Sequence, residues 1–150
     1  MRHFSDDIAA ILSATHGQPH AFLGLHKDEA SDYLVIRTFQ PQADKVVIVD
    51  KVSQKPLATL VNVEGSGVFV KKLRRKKHFS YQLKINRQSK EYLLNDAFAF
   101  APTLGELDIH LLAEGKHLKP YNKLGAHCQS FMQGKAQVEG VSFALWAPNA

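Results

Sequence analysis

Nine consecutive residues, His78-Phe79-Ser80-Tyr81-Gln82-Leu83-Lys84-Ile85-Asn86, alternate without a fault between polar and apolar. Successive side chains of an extended backbone leave opposite faces, so this period of two sets Phe79, Tyr81, Leu83 and Ile85 against a core and leaves the others to water. A helix would scatter the same residues around its axis. The segment therefore reads as a half-buried antiparallel strand. Shorter stretches of the same kind occur at Tyr33–Phe39, Lys45–Asp50, Leu57–Val63, Gly67–Leu73 and Lys90–Leu94. Breaks at Pro41, Gln54-Lys55-Pro56, Glu64-Gly65-Ser66-Gly67 and a basic run separate them. Six short strands without long helices between them predict a mainly β fold, an immunoglobulin-like antiparallel β-sandwich with short flanking helices, and count against a βαβ architecture. Lys45–Asp50 is apolar on both faces, at Val46 and Ile48 and at Val47 and Val49, which predicts a central strand covered on both sides.

The flanks have a different period. Phe4, Ile8, Ile11, Leu12 and Thr15 recur at helical spacing, with Ser5 as the expected N-cap and Gly17 and Pro19 as the stop, so a helix is expected over residues 4–16. A second helix is expected behind Thr103-Leu104-Gly105-Glu106, which has capping-box spacing, with Leu104, Leu107 and Leu111 as its stripe and Gly115 as its end. Val141–Trp146 then alternates like a new strand with no partner, as at the edge of a missing domain. At 150 residues and 45% hydrophobic, the chain supports one full core and part of another. The expected division is an N-terminal helix at 1–17, a β-sandwich module at 18–105, a helical linker at 106–123, and the start of a second, truncated β-sandwich at 124–150. That last segment, with nothing to pair with, is expected to be mobile.

Charge needs its distribution before it means anything. The formal net charge is +5, and Lys71, Lys72, Arg74, Arg75, Lys76 and Lys77 supply six positives within seven residues, so the rest of the chain is close to neutral. One local run, without interleaved aromatics, is expected to decorate a solvated hairpin tip; a polyanion- or nucleic-acid-binding surface is the alternative. No apolar stretch approaches the ~20 residues of a membrane span, and two acids near the N-terminus interrupt any signal peptide. The single cysteine, Cys128, excludes an internal disulfide and suits a reducing compartment, so a soluble, cytoplasmic chain is expected.

The chain also echoes itself. Leu23-Gly24-Leu25-His26 leads to Phe39-Gln40-Pro41-Gln42-Ala43, and Leu124-Gly125-Ala126-His127 leads to Trp146-Ala147-Pro148-Asn149-Ala150. Each phrase runs from a Leu-Gly-x-His turn into a strand closed by aromatic-x-Pro. Glycine admits a backbone conformation closed to other residues, and proline ends the strand. Two tandem copies of one β-module fit this pattern. His26 and His127 are then expected to stabilise their turns by a hydrogen bond.

Asp96-Ala97-Phe98-Ala99-Phe100, the run Leu104 to His117, Tyr121-Asn122-Lys123-Leu124-Gly125-Ala126-His127 and Phe143 to Ala150 together resemble the N-terminal region of bacterial glycogen branching enzymes in order, spacing and identity. The resemblance is specific from about residue 96 onward and looser over 18–95. It implies an accessory N-terminal β-sandwich, a second, starch-binding-like sandwich, a catalytic (β/α) barrel and a C-terminal β-domain. It also implies transfer of α-1,4-glucan segments to α-1,6 bonds by a retaining carboxylate pair on the barrel. None of those barrel motifs is present in this chain, and the Lys71–Lys77 run departs from the family pattern.

No catalytic residue, cofactor site or metal site is read here. Asp6 and Asp7 belong to a helix start, Glu64 to a turn and Glu106 to a cap. His16 and His20 have metal-like spacing but lack further ligands nearby. Sugar binding would need exposed aromatic faces with amides or carboxylates for the hydroxyls. Trp146, on an apolar strand, is expected in a core, which leaves Tyr33 and Tyr92 as candidate glucan contacts. The expected partners are α-glucan, engaged through the longer enzyme, and that enzyme's own barrel, with weak or absent glucan affinity for this segment alone. An assembly module without sugar contact is the remaining alternative.

Overall fold

A computed structural model describes residues 3–28, 30–133 and 136–148, with residues 133 and 136 described by their backbone alone. In chain order it has helices α1 (Phe4–Leu12) and α2 (Pro19–Phe22), then strands β1 (Gly24–Lys27), β2 (Leu34–Phe39), β3 (Lys45–Asp50), β4 (Pro56–Thr59), β5 (Val61–Asn62), β6 (Val68–Leu73), β7 (Tyr81–Arg87) and β8 (Lys90–Leu94). Helix α3 (Glu106–Ala113) and strands β9 (Gly125–Gln133) and β10 (Ala136–Ala144) follow, with 3-10 turns at Ala97–Ala99 and Pro120–Asn122. The chain divides into two compact units, Met1–Phe100 and Ala101–Ala150.

The first unit is a β-sandwich. One sheet has the order β1-β2-β6-β5 and the other β4-β3-β7-β8, and every neighbouring pair is antiparallel. This is the immunoglobulin-like arrangement, strands A-B-E-D facing a C-F-G sheet extended by one strand beside C. Leu34 and Ile36 from β2, Val46 and Ile48 from β3, Phe69 and Leu73 from β6, and Tyr81, Leu83 and Ile85 from β7 fill the space between the sheets. The alternation of β7 is visible directly, since Tyr81, Leu83 and Ile85 are buried while Gln82, Lys84 and Asn86 are only partly covered. β3 is interior to its sheet, with Val46, Ile48 and Val49 buried and Val47 half-buried. The element that covers an outer face lies on the other sheet, however: Ile8 and Ile11 of α1 with Phe22 and Leu23 pack on Val68.

Several expectations are corrected. Leu57–Val63 is not one strand, because the chain changes sheets at Leu60: β4 pairs with β3 and β5 with β6. Leu60 is buried between the sheets and its N–H donates to Val46 O at 2.9 Å, so the crossing leaves this amide satisfied. The basic run ends β6 and fills the connection from one sheet to the other; it is not a hairpin tip. Helix α1 stops at Leu12, and its N-cap is His3 without a side-chain cap, leaving Ser5 inside the helix. β1 and α2 are elements that the periodicity does not announce, being four residues each.

In the second unit, the N-cap of α3 is Gly105 and not Thr103. Asp108 Oδ2 accepts the Gly105 N–H at 3.0 Å, so the reaching-back half of the box comes from Asp108 and not Glu106. The helix end is as read. Gly115 takes φ +66°, its N–H donates to Leu112 O and that of Lys116 to Leu111 O, the paired bonds of a Schellman cap. The Leu104, Leu107, Leu111 stripe is not buried, and Leu107 is 68% exposed. Val141 to Ala144 belongs to β10, which pairs along its length with β9, so this strand is not unpartnered. Trp146 is 36% exposed and is not a core residue. Asn149 and Ala150, which close the second phrase, lie outside the described residues.

Candidate functional site

The echo in the sequence is an echo in geometry. His26 Nε2 donates to Leu23 O at 2.7 Å and His127 Nε2 to Leu124 O at 3.0 Å, the turn bonds expected of them. Gly24 has φ +98° and Gly125 φ +96°. The likeness reaches further back than the quoted phrases. His16 Nε2 donates to Asp7 Oδ1 at 3.2 Å, and His117 Nε2 to Asp108 Oδ1 at 3.1 Å. The Leu23 N–H donates to Pro19 O and the Leu124 N–H to Pro120 O, each at 2.8 Å. β1 and β2 pair Gly24 with Arg37 and Lys27 with Leu34, while β9 and β10 pair Gly125 with Ala144 and Cys128 with Val141. Helix, histidine clamp, proline turn and opening hairpin thus occur twice. The shared nine-residue spacing of Asp7 to His16 and Asp108 to His117 was a signal in the sequence that the shorter phrases missed.

The pair-wise chemistry of these sites is structural. His16 accepts the Gln18 N–H at Nδ1, which fixes Nε2 as the donor to Asp7, and these residues line a cleft of about 490 Å³ with Phe22 and Ala21. His20 sets its ring edge-on to Phe98, 4.9 Å between centroids, and does not join His16 in a ligand set. Among the described residues no group of three histidine, cysteine or acidic side chains is placed to hold a metal ion. No helix of the described residues is long and apolar enough to cross a membrane. Asp108 accepts from Gly105 N–H, His117 and Lys123 Nζ, and these donors hold its carboxyl down at about 2. Tyr81, the first residue of β7, donates its hydroxyl to Asp96 Oδ2 at 2.6 Å in the interior. Burial pushes the Asp96 carboxyl above its ordinary value, against the pull of the Tyr81 hydroxyl and the Phe98 N–H.

The basic run is half-committed. Lys72 pairs with Asp28, Lys76 with Asp32 at 3.0 Å, and the Arg75 guanidinium lies 4.8 Å from the centre of the Phe79 ring. Among the described residues Lys71, Arg74 and Lys77 carry no ion pair. Tyr33 precedes β2 beside this cluster, its carbonyl accepting the Asp28 N–H. Tyr92 is on β8 in the other sheet, so the two tyrosines do not form one site. Tyr92 lines a groove of about 450 Å³ with Gln40, Pro41, Gln42, Ala43, Ile85, Arg87 and Leu94. Its walls are the β2–β3 turn and the β7–β8 hairpin. Of its lining, Tyr92 alone is a candidate glucan contact in the sequence.

The class this defines is an immunoglobulin-like β-sandwich entered through a clamped helix, with that entry motif repeated after it. Residues 4–98 match the family described as alpha-1,4-glucan branching enzyme GlgB, N-terminal domain, and the chain belongs to that family. Three curated relatives are named 1,4-alpha-glucan branching enzyme GlgB. That of Mycobacterium ulcerans (strain Agy99) is 40% identical over 146 residues, covering 97% of this chain and 19% of the relative. That of Mycolicibacterium paratuberculosis is 39% identical over 148 residues, with 96% and 19% covered. That of Mycobacterium tuberculosis (strain ATCC 25618 / H37Rv) is 41% identical over 145 residues, also with 96% and 19% covered. The chain spans about a fifth of the length of these relatives. The solved catalytic module of the glycogen-degrading pneumococcal virulence factor SpuA aligns at TM-score 0.35 and 27% identity over 47% of this chain and 12% of that one, too weakly to bear on the fold.

Proposed function

We propose that this chain is a non-catalytic front portion of a cytoplasmic glycogen branching enzyme, a glycosyltransferase that moves α-1,4-glucan segments into α-1,6 linkage. Residues 18–105 act as the accessory sandwich behind the 1–17 helix, 106–123 as linker, and 124–150 as the opening of a second, starch-binding-like sandwich. Family membership carries the reading, and the matching hairpin registers of β1–β2 and β9–β10 support the second module. In this role the first sandwich is a rigid docking surface beside the catalytic barrel. It restrains how a long glucan approaches, and so biases the length of chain transferred. Weak contacts along one polymer add through effective concentration, so the module needs no high affinity of its own.

The test is the product chain-length distribution of the full-length enzyme against a version lacking residues 1–105. A shifted distribution is expected. Identical distributions with equal soluble yield would end the proposal, and identical distributions with a loss of soluble yield would assign the module to assembly.

A further inference from the structure

We propose that the groove between the β2–β3 turn and the β7–β8 hairpin is a subsite for α-1,4-linked glucan, with Tyr92 and Leu94 as its apolar floor and Gln40, Gln42 and Arg87 as its hydroxyl ligands. The choice of ligand class rests on the glucan-positioning role proposed above; the location rests on the geometry alone.

Register explains why the floor is open. Tyr92 pairs across the hairpin with Ile85, and Leu94 with Leu83, so all four share the face that meets the core. Ile85 and Leu83 are 4% and 1% exposed, whereas Tyr92 and Leu94, one strand further out, are 44% and 46% exposed. β8 is the edge strand of its sheet, and its inward face is uncovered. An aromatic ring and a leucine in register with the core are thus presented to solvent in a concavity, where apolar surface gains most from a ligand.

The polar lining favours a sugar over a peptide strand or another protein. A pyranose offers C–H groups on its faces and a belt of hydroxyls, and it is matched by a ring below and amide or guanidinium groups at the side. Gln40 Nε2 donates to Thr38 Oγ1 at 3.2 Å, which steadies the amide and leaves its carbonyl oxygen as an acceptor. The side chains of Gln42 and Arg87 make no hydrogen bond among the described residues, so their donors are available. One guanidinium without a carboxylate in the lining disfavours a cation. The volume of about 450 Å³ lies within the ~300–1,000 Å³ of ligand clefts.

The walls are fixed before any ligand arrives. A Cβ on Gly67 would come within 2.6 Å of Pro41 Cα, so only glycine lets β6 approach the turn this closely. The Gln40 N–H donates to Gly67 O at 2.7 Å on one side. On the other, the Asp44 N–H donates to Asn86 O and Asp44 Oδ2 accepts the Gln88 N–H, each at 2.8 Å. A rigid groove avoids the ordering cost that weakens loop sites.

The test is an amide-shift titration of the ¹⁵N-labelled 150-residue chain with maltoheptaose, and with cellohexaose as the β-linked control. Saturable millimolar shifts are expected at residues 40–43, 85–87 and 92–94 with maltoheptaose. Tyr92→Ala and Arg87→Ala should each weaken binding at least fivefold with the remaining spectrum intact, Tyr92→Phe should keep it, and Tyr33→Ala should leave it unchanged. Shifts confined to residues elsewhere would overturn the groove while leaving the glucan role standing. Equal response to cellohexaose would overturn the α-linked class, and no shift with either sugar would count against both this subsite and direct glucan contact by the module.

Discussion

At the residue scale, Tyr81 and Asp96 are the interior polar pair whose energetics are easiest to isolate. Tyr81→Phe leaves a buried carboxyl without its hydroxyl donor, and should cost about 1–3 kcal/mol in urea denaturation. The pH dependence has a definite sign. Because burial raises the folded-state value of Asp96, the folded chain holds that proton more tightly than the unfolded one. Its contribution to stability is full below the ordinary carboxylate value and is lost as pH rises through the folded value. Asp96→Asn should lack that decline, so the stability of the variant relative to the parent should rise with pH, measured from pH 3 upward. Asp108 runs the other way: its contribution is present above the ordinary value and lost as pH falls toward about 2, so Asp108→Asn should flatten the acid limb for the second unit.

At the element scale, the two glycine turns offer a matched comparison. Both sit in the left-handed half of the backbone map, where a side chain costs roughly 1–2 kcal/mol. A Cβ at Gly24 would also come within 2.6 Å of Phe98 O, whereas at Gly125 nothing among the described residues lies within 4 Å. Gly24→Ala should therefore lower the melting temperature of its unit by several degrees, and Gly125→Ala should destabilise its own unit less, because it bears the backbone strain without the clash. Much of this level was legible from the residues: Lys45–Asp50 and Lys90–Leu94 are strands with the bounds read from them, and the alternation around Tyr81, Leu83 and Ile85 placed a core-facing strand. The change of sheet at Leu60 was not legible, since Leu57 to Val63 keeps one apolar texture on both sides of the crossing. Local period reports which way a side chain faces, not which sheet receives it. The groove was legible only at Tyr92, because Gln40, Gln42 and Arg87 come from segments more than forty residues apart that only the fold brings together.

At the scale of the whole molecule, the two units differ in how much they bury. The first encloses ten residues between its sheets and a further cluster under α1. In the second, Leu107, Leu118, Phe143 and Leu145 are all more than 60% exposed. A two-stranded sheet is marginal without a third strand or a covering layer. Hydrogen exchange should therefore find amides of β2, β3, β6 and β7 protected by several orders of magnitude more than those of β9 and β10. Equal protection would mean that the hairpin has a covering layer in solution.

The repeated register also bears on assembly order. Val141, Phe143 and Leu145 stand where Leu34, Ile36 and Thr38 stand in the first copy, so the later hairpin offers β6 a rival with the same spacing and an apolar stripe at the matching positions. Because earlier segments generally fold first during synthesis, β6 is expected to meet β2 before residue 141 emerges. A chain released all at once from denaturant has no such schedule, and tandem look-alikes are prone to trade partners under those conditions. Refolding from denaturant is therefore expected to be less faithful than folding during synthesis, as a lower yield of correctly paired chain.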